Sequence, residues 1–109
     1  MEFRRISLDA TEREGFVNGL KFEIASARCE KIRLLRVDIK EIGEENELRR
    51  FYSYVTKTLR EMKRKRTIQL FAFPESFEKR STEAVFLLNK FPESIDLSRE
   101  NENFLYIVI

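Results

Sequence analysis

A chain of 109 residues, 42% of them hydrophobic and ten of them Phe, can fill one core without disulfide or metal staples. Three Gly and two Pro are too few for a loop-built or disordered chain; no His and a lone Cys29 exclude Ser-His-Asp and Cys-His catalysis, imidazole ligation, zinc sites and CxxC redox chemistry. Charged residues reach 37% but nearly cancel at net +2, which gives no whole-molecule case for nucleic acid or an anionic membrane. In chain order, residues 3–8 read as a short strand. Thr11 and Glu14 stand at capping-box spacing before a helix whose stripe is Phe16, Leu20, Ile24 and Ala27. Its rival is a hairpin at Asn18-Gly19, with Leu20, Phe22 and Ile24 in a strand.

Residues 32–39 read as a strand with Leu35, Val37 and Ile39 on one face. The other face, Ile32, Leu34, Arg36 and Asp38, is half polar and predicts a position toward a sheet edge. After Gly43 the spacing of Leu48, Phe51, Tyr52, Val55, Leu59 and Met62 predicts a helix over residues 44–66. Glu44, Glu45 and Glu47 crowd its start and Lys63, Arg64, Lys65 and Arg66 its end, as the helix macrodipole favours. Residues 67–73 are apolar on both faces and predict a central strand stopped by Pro74. Ser76 or Ser81 then caps a helix to about Phe91, with Ala84, Val85, Leu88 and Phe91 inward, and a polar loop leads to a last apolar strand over residues 104–109.

The order β-α-β-α-β-α-β implies a single α/β domain with three helices and a four-stranded, largely parallel sheet, its third and fourth strands innermost. No apolar run matches a membrane span or signal peptide, and no Asn-x-Ser/Thr site is present, so a cytoplasmic protein is expected. Sixteen Glu against three Asp, with a single Gln, is a charge balance of the kind heat-adapted proteins show.

Three constellations offer chemistry. Asp9, Asp38 and Glu75 fall at strand ends, where three carboxylates on one rim would hold Mg²⁺ and process a phosphate; acidic residues at helix starts also serve simply as caps. Lys63, Arg64, Lys65 and Arg66 offer phosphate contacts, although helix C-termini are commonly basic and nucleic acid would call for aromatics on the same face. The apolar last strand would pair with its two-fold mate if it lay at a sheet edge. Cys29, beside Arg28 and Lys31, reads as inert packing.

Leu8-Asp9-Ala10 opening a helix, then Leu35-Arg36-Val37-Asp38-Ile39, a loop, a long helix and the strand over residues 68–73 together resemble the middle of a STAS domain, over about residues 8–91. That family includes the anti-sigma-factor antagonists, in which the second helix opens on an Asp-Ser-Ser-Gly-like segment whose Ser is phosphorylated by a partner kinase. The matching stretch here, Gly43-Glu44-Glu45-Asn46, has no hydroxyl, the first strand is shorter, and a strand stands last where the family has a helix. The resemblance therefore implies a docking surface at Glu44, Glu45 and Asn46 without a phospho-switch. The leading expectation is a non-enzymatic interaction or regulatory module with a protein partner, possible as a homodimer and needing no cofactor. The alternatives are the Mg²⁺-dependent enzyme and the nucleic-acid binder.

Overall fold

Period-two burial along Phe3–Asp9 makes β1, and a bend at Thr11 and Glu12 leads into α1 (Arg13–Cys29). The computed structural model describes residues 2–43, 47–98 and 103–109. The expected stripe of α1, Phe16, Leu20, Ile24 and Ala27, is buried throughout, so residues 16–28 are helix and not hairpin. The capping box does not form. Glu12 holds the N-cap position, and the Thr11 hydroxyl donates to Asp9 Oδ1 at 2.7 Å.

β2 (Leu34–Lys40) follows, then α2 (Leu48–Arg64), whose buried face is Phe51, Val55, Leu59 and Met62. Leu48, expected on that face, is 46% exposed. The chain continues through β3 (Leu70–Ala72), a short α3 (Pro74–Glu78), α4 (Thr82–Lys90) and β4 (Phe104–Val108). The single third helix of the sequence reading is thus two helices, broken at Lys79 and at Arg80, which takes a left-handed φ of 51°. Ser81 caps the second of them, accepting from Ala84 N at 3.1 Å. Ser81→Ala should cost about 1 kcal/mol in a urea melt. The inward residues of α4 are Ala84 and Leu87, followed by Phe91, while Val85 and Leu88, expected inside, face solvent.

The sheet is mixed, in the order β1-β2-β4-β3. β1 and β2 are parallel, whereas β4 runs antiparallel to both of its neighbours, β2 and β3. Three strands therefore point one way and the last inserts between two of them, so only one of the pairings is parallel. The sheet is therefore not the largely parallel one expected, and two further expectations about strand position fail. β3, only three residues long, is an edge strand, and β2 is central and buried on both faces from Leu34 to Ile39. The reason lies in β4: all five of its residues are buried, and only an interior slot covers both faces of such a strand. Its edges are both paired, so a sheet continued across a dimer would have to use β1 or β3.

Helices cover both faces. α1 and α2 pack Phe16, Leu20, Phe51, Val55 and Leu59 onto Leu35, Val37, Leu105 and Ile107. On the opposite face, Leu87 and Phe91 join Leu34, Ala72, Phe104, Tyr106 and Val108. Among the described residues, no helix is long and apolar enough to cross a membrane.

Candidate nucleic-acid interface

The half-polar face of β2 is where the deepest charges lie. Arg36 is 1% exposed, and its Nε donates to Asp38 Oδ1 at 3.0 Å. Its Nη1 donates to Tyr106 Oη at 2.7 Å and to the Asp96 carbonyl at 2.6 Å, and its guanidinium carbon sits 4.6 Å from the centre of the Phe104 ring. From β1, Arg5 Nε reaches Asp38 Oδ2 at 2.7 Å. Tyr106 Oη accepts from Asp96 N at 2.8 Å, which ties the loop after α4 to the sheet. Burial works against ionisation of Asp38, but the hydrogen bonds and charges of Arg5 and Arg36 outweigh it and hold its carboxyl below the ordinary value. Every charged group in this cluster faces another, which makes it a structural fastening.

The three acidic residues of the supposed metal rim are not brought together. Asp9 is occupied locally, accepting from Thr11 N at 3.2 Å as well as from its hydroxyl. Asp38 lies inside the network just described, and Glu75, on α3 beyond β3, pairs with Lys79 at 2.7 Å. The antiparallel β4 also separates β2 from β3, so these strand ends do not adjoin. Among the described residues, no three His, Cys, Asp or Glu side chains gather as metal ligands. Glu44, Glu45 and Asn46 lie outside the described residues. Cys29 is exposed at the end of α1, not packed inside as expected.

The basic residues behave differently. Between Glu47 and Arg66 the sequence holds eight cations and two carboxylates, a net +6 against +2 for the whole chain; the rest of the chain is therefore net −4. Apolar residues at helical spacing bury one side of α2 and force its cations onto the other. Arg49, Lys57, Arg60 and Arg64, together with Tyr52, Ser53, Thr56 and Glu61, line an open trough of about 620 Å³ along this outward side. Glu61 is bound by Arg64 at 2.5 Å and by Lys65 at 3.7 Å, and Glu47 by Arg50 at 3.7 Å. Arg49, Lys57, Arg60, Lys63 and Arg66 have no carboxylate partner among the described residues.

Of the four cations singled out from the sequence, Arg64 lines this trough and Lys63 a second one beside it. Lys65 closes the helix, and Arg66 takes a left-handed φ of 62° just beyond it. Arg28 of α1 fastens this end by donating to the Thr67 carbonyl at 2.7 Å. Sequence reasoning missed Arg49 and Arg60. Their signal was present in the steps of eight, three and four that join Arg49, Lys57, Arg60 and Arg64 on one helical side. Tyr54, also on α2, is engaged by Arg13, whose guanidinium carbon lies 5.3 Å from the ring centre.

No protein-family model matches this chain, and neither a curated protein nor a solved structure is significantly similar to it. Function has to be argued from this surface itself.

Proposed function

We propose that this protein is a non-enzymatic binding module that takes the phosphate backbone of a nucleic acid along the outward side of α2. The observation that carries the reading is the row Arg49, Lys57 and Arg60, cations with no carboxylate partner among the described residues, set along a trough with the hydroxyls of Ser53 and Thr56. Phosphates are contacted by such cations and hydroxyls, and each neutralised phosphate releases counterions. The negative remainder of the chain disfavours other faces and so directs an anion to this one. The non-enzymatic part of the reading is supported by Asp9, Asp38 and Glu75 each being bound to a neighbour instead of aimed at a shared point. Retention of a labelled oligonucleotide that falls steeply with salt is the expected result; salt-independent retention, or none at low salt, would end the proposal.

A second reading, a protein-interaction module, is favoured by α4. Val85, Phe86 and Leu88 are 45%, 41% and 41% exposed and adjoin along its outer side, an apolar row suited to another protein surface. Light scattering at about twice the chain mass would support a homodimer, and a monomer would remove that form of the reading.

A further inference from the structure

We propose that the nucleic acid taken by this surface is single-stranded, because the cationic trough runs into a cleft with an aromatic floor made by Phe71 and Phe73. This rests on the function proposed above and adds to it the form of the ligand. The cleft, of about 390 Å³, lies between α2 and α3 and shares Thr56 and Arg60 with the trough, so the two make one continuous groove. Its floor lies at the sheet's edge: β3 has no outer neighbour among the described residues, and Phe71 in it and Phe73 just after it remain half-buried and line the cleft. The Phe73 ring is braced from behind by Tyr52, with centres 4.8 Å apart, and Phe71 meets it edge-on at 6.2 Å. Tyr52 is itself fixed, its hydroxyl donating to Asn103 Oδ1 at 2.9 Å.

Arg60 and Lys63 stand on the α2 wall of the cleft with no carboxylate bound to them among the described residues; of the two acids that line the cleft opposite them, Glu75 is paired with Lys79 and Glu83 stands in the first turn of α4. Backbone cations beside ring faces are the arrangement that holds an unpaired strand, since phosphates track the charge and bases stack on the rings. A duplex keeps its bases stacked on each other and offers such a cleft only phosphates. Phe71 of β3 and Phe73 just after it thus add aromatic rings beside the cations of α2.

The test uses the intact chain and fluorescence anisotropy with three probes at one salt concentration: a short oligo(dT), an abasic strand of the same length, and a duplex. The wild type should bind oligo(dT) at least about fivefold more tightly than the abasic strand. The variant carrying Phe71→Leu and Phe73→Leu should lose that advantage while binding the duplex unchanged. The variant carrying Phe71→Tyr and Phe73→Tyr, which keeps both ring faces, should retain it, and this separates stacking from loss of fold. Equal affinity of the wild type for oligo(dT) and the abasic strand would overturn the inference but leave phosphate binding by α2 intact. Binding of none of the three probes at low salt would overturn both.

Discussion

Asp38→Ala should destabilise the protein by about 3–5 kcal/mol, the cost of removing one partner from a buried ion pair. The substitution strands the Arg36 guanidinium, 1% exposed, above the Phe104 ring with only a phenol and a carbonyl for partners. Arg5, half-exposed, turns to water and suffers less. Removing both buried charges, by Arg36→Met with Asp38→Leu, should recover most of the loss, because apolar replacement of a whole buried pair is often neutral or stabilising. Urea denaturation with an unchanged slope reads both variants, and a loss below about 1 kcal/mol for Asp38→Ala would contradict this account of the network.

The same carboxylate sets a pH dependence. Its folded-state pKa lies below the ordinary 3.8. The stabilisation is therefore complete above the unfolded value of about 3.9 and is lost as pH falls through the lower folded value. The stability gap between the wild type and Asp38→Ala should hold from pH 7 down to about pH 4 and then close.

That network also marks where the sequence stopped being legible. The stripes of α1 and α2 are local and were readable, because their spacing dictates which side each helix buries. Arg36 and Asp38 looked like the exposed side of an edge strand, since their pairing with each other leaves donors and acceptors that nothing local satisfies. The remaining partners are distant in sequence: Tyr106, brought opposite Arg36 by the antiparallel register of β2 and β4, and Arg5 of β1, which binds Asp38. Strand order failed for the same reason: β4 reaches its slot from the far end of the chain, and no local pattern records which gap it fills. Phe71 and Phe73 suggested a strand covered on both sides, but they line an open cleft. The basic end of α2 was visible as a run of like charges, whereas Arg49 and Arg60 became part of the surface only once the buried side of the helix fixed the outward one.

The second large effect falls on that surface. Neutralising Arg49, Lys57 and Arg60 together should leave the fold intact, since all three are exposed and form no ion pair among the described residues. It should nevertheless remove the free cations of the trough, leaving Arg64 shared with Glu61. Charges held at the helix end, such as Lys65 and Arg66, would give residual, weaker attraction. An unchanged melting temperature with weakened binding is the combination that separates a binding role from a structural one.

The most direct test is the salt dependence of that binding. The affinity of the wild type and of the variant carrying Arg49→Gln, Lys57→Gln and Arg60→Gln would be measured for a single-stranded oligonucleotide across a range of salt concentrations. Each phosphate contact contributes about 0.7 to the slope of log affinity against log salt, so the triple variant should show a slope shallower by about 2. Identical slopes for the two proteins would contradict the assignment of the α2 surface as the nucleic-acid interface.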